Sequence, residues 1–177
     1  EEISRMASGG RIPWEFIGVI HNLECSLRFD RHLHNGDKLS RKTRRVPANR
    51  PKTRGPWTFE QSAVDALKMK GFHKITNWSM ERMCYELERY NGFGYRYKGI
   101  NSPYLWSGTS VYSKGKYIAD HKFSRTAVSK QTGTIPLLIA TMNGGSPGKI
   151  DVKDLTKKSS KLRVLQRVIN FFKFAVT

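Results

Sequence analysis

Ile12-Pro13-Trp14-Glu15-Phe16-Ile17-Gly18-Val19-Ile20-His21-Asn22-Leu23-Glu24-Cys25-Ser26-Leu27 is the stretch on which the reading of the fold turns. Phe16, Ile20, Leu23 and Leu27 recur at the spacing of one helix face, and Pro13 suits a first turn, where its missing N–H is no loss. The spacing predicts a core helix over residues 12–27. Glu24 falls in its last turn, beside Ile20 and Leu23 and next to the negative end of the helix dipole. An apolar wall and that dipole both disfavour the charged carboxylate, the condition under which an acid keeps its proton near neutral pH. Against this, a glutamate at a helix C-terminus is ordinarily a solvated surface residue. Cys25 with His21 one turn earlier resembles a thiol and its base, but no third group orients them.

Around this segment, 177 residues suit one domain or one domain with an appendage. Four Trp, seven Tyr and nine Phe supply a core, which excludes wholesale disorder. No apolar run approaches the ~20 residues of a membrane-spanning helix, and residues 1–11 lack the charged start and apolar centre of a secretory signal. With Glu at position 1, the chain is read as a processed product or as part of a longer polypeptide. Cys25 and Cys84 are too few for a disulfide framework and read as buried thiols. A charge of +18, from 32 basic against 14 acidic residues, implies an acidic partner: nucleic acid, an anionic membrane or the bacterial cell wall.

Residues 30–55 show no helical period, and residues 41–54 hold seven basic side chains and no acidic one. A loop this long inside a compact domain points to function. Within it, His32-Leu33-His34 followed by Asp37 has the look of a metal site, yet no third ligand completes it and Asn35-Gly36-Asp37 is equally good turn chemistry, so no metal is expected. Thr58-Phe59-Glu60-Gln61 is a capping-box pattern opening a helix to about Lys70, stopped by Gly71. A third helix is expected from about Asn77, with Met80, Met83, Cys84 and Leu87 on one stripe. From residue 90 to 117 aromatic side chains alternate with amides and hydroxyls, a composition that suits sugar rings or unpaired bases, while a share of these rings belongs to the core. A short hairpin is expected there, residues 104–106 against 111–118. Residues 124–142 read as a helical stretch broken at Gly133 and Pro136, 143–148 as a Gly/Ser/Pro linker and 149–177 as a basic amphipathic tail striped by Leu162, Leu165, Ile169 and Phe172.

Several strings carry a resemblance. They are Ile20-His21-Asn22-Leu23-Glu24, Phe29, His32-Leu33-His34-Asn35-Gly36-Asp37, Val46-Pro47 and Arg50-Pro51, then Ser62-Ala63-Val64-Asp65-Ala66-Leu67. Further on come Tyr85-Glu86-Leu87-Glu88-Arg89-Tyr90-Asn91-Gly92-Phe93-Gly94-Tyr95-Arg96, Ser102-Pro103-Tyr104-Leu105-Trp106-Ser107 and Gly115-Lys116-Tyr117-Ile118-Ala119-Asp120. In this order they resemble phage and bacterial lysozyme-like cell-wall proteins, within the wider superfamily of goose-type lysozymes and soluble lytic transglycosylases. Cys25 stands where that superfamily typically has Ser, Lys38 where Pro is expected and His121 where Gly is expected.

The resemblance spans about residues 12–142 and not the tail; it implies a mainly α (α+β) lysozyme-like domain, placed at residues 1–142, with a small hairpin or irregular region, and the basic helix behind the linker stands outside it. It implies a peptidoglycan-cleaving glycosidase, muramidase- or endolysin-like, with Glu24 as general acid on the β-1,4 bond between N-acetylmuramic acid and N-acetylglucosamine. Asp37 is the candidate second carboxylate, ahead of Asp65 and Asp120. His34, Asn35, Asn91, Tyr95, Tyr104, Trp106, Ser107 and Tyr112 are expected to contact the glycan. A lytic transglycosylase acting on the same bond is the alternative. Other classes are a nucleic-acid-binding protein, for which no helix-turn-helix, ribonucleoprotein motif or zinc finger is legible, and a structural part of a phage particle. No cofactor and no specific nucleic acid are expected. The expected partners are peptidoglycan and, through the tail, other phage-particle or cell-wall components. Action is placed at the bacterial wall, whether virion-associated, periplasmic or secreted.

Deleting residues 149–177 is expected to spare turnover of short soluble glycans while weakening binding to intact walls in a salt-dependent way, because the tail acts through screened charge. Equal loss on both substrates, measured side by side, would place the tail within the catalytic fold.

Overall fold

A computed structural model describes residues 1–119 and 121–142. Asp120, the linker at 143–148 and the tail at 149–177 lie outside the described residues. The described chain is mostly helical, with six α-helices and one two-stranded antiparallel sheet. It forms two compact units, Glu1–Trp78 and a second beginning at Ser79.

In the first unit, α1 spans Glu2–Ser8, α2 Trp14–Cys25 and α3 Phe59–Met69, followed by a single 3-10 turn, Phe72–Lys74. α2 starts after Pro13 and buries Phe16, Ile17, Val19, Ile20, His21 and Cys25. Leu23 is only half-buried, and Leu27 falls beyond the helix end. The helix stops because Ser26 and Leu27 both turn left-handed, at φ 51 and 59, in a region that costs an ordinary side chain roughly 1–2 kcal/mol. Phe16 meets Phe72 edge-on with centroids 5.1 Å apart and Trp78 at 4.8 Å, which fixes α2 on the 3-10 turn. α3 opens as expected: Thr58 accepts from the Gln61 amide, and the Gln61 side chain accepts from the Thr58 amide. Gly71, at φ 77, closes it.

α1 has no counterpart in the sequence reading. It is only seven residues long, below the length at which a helix is stable alone, so tertiary contacts must hold it. Ser4 Oγ donates to the Ile12 carbonyl at 2.5 Å, and Ser8 Oγ accepts from the Ile12 amide at 3.1 Å. The glycine pair after Ser8 supplies the left-handed C-cap at Gly9.

The second unit contains α4 (Met80–Asn91), a 3-10 turn (Arg96–Lys98), α5 (Pro103–Trp106), β1 (Lys116–Ala119), β2 (Lys122–Ser124) and α6 (Thr134–Met142). α4 begins later than expected, at an Ser79 cap, and buries Met83, Cys84 and Leu87 as the stripe required. The same helix also buries Glu86 and Glu88. Glu86 is held by Arg82 at 2.8 Å and Arg89 at 2.5 Å, and Glu88 pairs with Arg96, whose guanidinium lies over the Tyr85 and Phe93 rings. Buried carboxylates need such partners to offset desolvation.

Two expectations are corrected here. Residues 104–106 form no strand: Pro103 at the first helical position after Ser102 starts a short helix instead. The hairpin lies further on, pairing Lys116 with Ser124 and Tyr117 with Phe123, with a bulge before Ala119. Residues 124–142 are not one broken helix either. Ser124 ends β2 and its hydroxyl accepts from the Ala127 amide, a turn that competes with helix, so α6 begins only at Thr134. Pro136 sits in its first turn, where no N–H is needed.

Gly133 sets the packing of α6 against α5. Its amide donates to the Ser107 carbonyl at 2.8 Å, and a Cβ there would stand 2.4 Å from the Leu105 carbonyl oxygen. Gly133→Ala must push this backbone apart, and is expected to lower stability by about 1–3 kcal/mol in a denaturant titration. An unchanged midpoint would show that the α5–α6 contact yields freely.

Candidate functional site

Glu24 is the penultimate residue of α2 and is half-buried. What seats the following loop on it is Gly36. At φ 72 its backbone comes so close that a Cβ would lie 2.2 Å from the Glu24 carbonyl oxygen, which only glycine allows. The loop returns on itself through a bridge between Arg31 and Lys38 and through the His32 amide, which donates to the Asp37 carbonyl at 2.8 Å. Asn35 and Asp37 flank Gly36 and are thereby brought to the C-terminal end of α2. Cys25 beside Glu24 is no nucleophile. Burial pushes its thiol up to about 12, and the Glu24 charge adds to that.

Asp37 is fully engaged. One carboxylate oxygen accepts from the Arg44 and Arg45 amides at 2.8 and 3.0 Å, and the other accepts from Arg45 Nε at 2.8 Å. Its partial burial pushes the carboxyl up, but the Arg45 and Arg44 amides and the Arg45 guanidinium outweigh that and bring it down to about 2. A carboxyl held this low stays charged near neutral pH and accepts protons poorly. Asn35 donates through Nδ2 to the Arg45 carbonyl at 2.9 Å, while its Oδ1 accepts from the Asp37 amide.

His34 is buried, its side chain 0% exposed. Its Nε2 lies 2.8 Å from Asp65, and Asp65 also takes Arg50 through Nε and a second nitrogen at 2.9 and 2.6 Å. His32 reaches Ser62 Oγ through Nδ1 at 2.6 Å and the Arg41 carbonyl through Nε2 at 2.7 Å. The His-x-His spacing therefore finds its match in Ser62 and Asp65 on α3. The turn at residues 33–35, closed by the Asn35 and Gly36 amides on the His32 carbonyl, turns both rings towards α3, where residues three apart share a face. That complementarity of spacing is the signal the sequence carries for this contact.

The remaining expected ligand contacts lie in the second unit. Asn91 ends α4 and is exposed, and Tyr104 and Tyr112 are half-buried. Tyr95, Trp106 and Ser107 are buried. Tyr95 stacks edge-on against Tyr117 at 5.2 Å and its hydroxyl accepts from the Tyr117 amide. Ser107 Oγ donates to the Ser129 carbonyl, and the Tyr112 hydroxyl accepts from the Ser129 amide at 3.1 Å. These groups hold the aromatic segment to its own unit; of the expected contacts Asn91, Tyr104 and Tyr112 stay accessible, and Tyr97, which was not among them, is the most exposed ring of the segment.

Comparison with protein families, with curated proteins and with solved structures finds no match for this chain.

The histidine makes the site pH-dependent. Burial lowers His34 to about 4 against the pull of Asp65. Between pH 6.5 and about 4 the unfolded chain takes up a proton that the folded ring refuses, so stability is complete above this window and lost as pH falls through it. The loss is expected to be about 3 kcal/mol, read from thermal midpoints. In His34→Gln, which still donates to Asp65 but cannot titrate, the slope across that window should flatten; parallel curves would remove His34 from the account.

Proposed function

We propose that this protein cleaves the β-1,4 bond of peptidoglycan with Glu24 as its single general acid. The observation that carries this reading is the seat of Glu24: a half-buried carboxylate in the last turn of a core helix, with the Gly36 loop pressed onto its own carbonyl. Two successive left-handed residues follow it, and backbone strain of this kind gathers where function fixes a geometry. A lysozyme-like fold agrees with the sequence strings and with the helical architecture.

In this reading Glu24 gives its proton to the glycosidic oxygen as the sugar ring takes on oxocarbenium character, then receives a proton from the attacking group. Within the first unit, Asn35 in the loop seated on the end of α2 is suited to glycan hydroxyls; taken by itself, the second unit offers Asn91, Tyr104 and Tyr112 as accessible groups of the same chemistry. The charge of +18 keeps the enzyme on an anionic wall.

A lytic transglycosylase is favoured by one observation, the tie of Asp37 to Arg44 and Arg45. With that carboxylate occupied, Glu24 alone serves as acid and then base, and the muramoyl 6-hydroxyl attacks in place of water.

Glu24→Gln keeps volume and hydrogen bonding but has no proton to give, so muropeptide release from purified sacculi is expected to fall about 10²- to 10⁴-fold. Release within threefold of the parent would remove Glu24 as the acid. Mass spectrometry of the parent's products separates the two chemistries, since anhydro ends mark the transglycosylase and reducing ends the hydrolase.

A further inference from the structure

Seven cations lie in residues 41–54, and two of them are neutralised: Arg45 by Asp37 and Arg50 by Asp65. Arg41, Lys42, Arg44, Lys52 and Arg54 are exposed, and among the described residues none has a carboxylate partner. The backbone that carries Arg41, Lys42 and Arg44 is held. The Arg41 carbonyl accepts from buried His32, and the Arg44 and Arg45 amides donate to Asp37. The Thr43 amide donates to the Arg50 carbonyl at 2.8 Å, the Asn49 amide donates to the Thr43 carbonyl at 2.8 Å, and the Arg50 amide donates to Thr43 Oγ1 at 3.0 Å. Folding has thus already met the cost of ordering a set of like charges, which a bound polyanion then finds in place.

We propose that this loop docks a flexible phosphodiester polymer without bases, the polyol-phosphate chemistry of anionic wall polymers. The choice of that chemistry over other wall anions rests on the peptidoglycan reading above. Arginine and lysine heads suit phosphate oxygens, the guanidinium through paired N–H groups. Nucleic acid fits less well. The one aromatic ring at this segment, Trp57, is half-buried, with its indole N–H given to Thr53 and its ring set edge-on to His32, and the loop offers neither the helix nor the strand pair that enters a major groove.

The test uses the full chain and a labelled synthetic 20-unit poly(glycerol phosphate), with binding read by fluorescence anisotropy across a salt series. Lys42→Ala, Arg44→Ala, Lys52→Ala and Arg54→Ala combined should weaken binding at least tenfold at low salt. The slope of log affinity against log salt should become shallower by roughly 3. The charge-keeping set Lys42→Arg, Arg44→Lys, Lys52→Arg and Arg54→Lys should bind within threefold of the parent, and turnover of short phosphate-free glycans should be unchanged in both sets. Binding by the alanine set within twofold of the parent would overturn the proposal. So would loss of binding in the charge-keeping set, loss of turnover on those glycans, or equal or tighter binding of oligo-dT or polyglutamate of the same length. Glu24→Gln should still bind the polymer, so a failed acid assignment and a failed docking surface give different results.

Discussion

The carboxylate of Asp65 is the point on which the first unit depends. It stands on α3 and takes two groups from the long loop, His34 and Arg50, which are sixteen residues apart in sequence. Asp65 and Arg50 are each mostly buried, and a pair so placed is held in both directions: removing either partner leaves a charge that water reaches poorly. With both ends of the loop tied to one side chain, the segment between has little freedom. Thr43 and Asp37 then fold that segment into two small turns. Gly36 reaches Glu24 only because the chain on either side of it is fixed this way.

The second unit solves the same problem with other means. Its α4 carries two buried glutamates, each met by arginine, and Arg96 is further sandwiched near the Tyr85 and Phe93 rings. Cation–ring contact and ion pairing act on one guanidinium, so its position is set twice over. The aromatic segment after α4 is consequently anchored at its start.

What the sequence makes legible follows from the range of the forces involved. The faces of α2 and α4, the capping box of α3 and the stop at Gly71 are local patterns, and they appear where the spacing puts them, within about three residues at the ends. Glu24 at the close of α2 belongs to the same class. By contrast, α1 has too few residues to announce itself and exists through Ser4 and Ser8. The hairpin was misplaced because a single Pro after Ser102 diverts its supposed first strand into a helix turn. His34 and Asp37 are polar side chains in a loop, which composition reads as exposed. Their burial and pairing come from partners elsewhere in the chain, 31 residues away for His34, and no short-range rule reaches that far.

The separation of those partners bears on how the molecule acquires its shape. The contacts of His32 and His34 with α3 span 30 and 31 residues, whereas each helix needs only its own neighbours. Closing a segment of that length costs entropy before any contact repays it, so helices precede long closures on the folding path. α3 is therefore the template, and the cationic segment is the last part of the first unit to settle. Until it does, its arginines and lysines stand in solution without their fixed backbone, at trypsin-sensitive bonds. Limited proteolysis during refolding would then read out the moment at which Asp65 captures the loop.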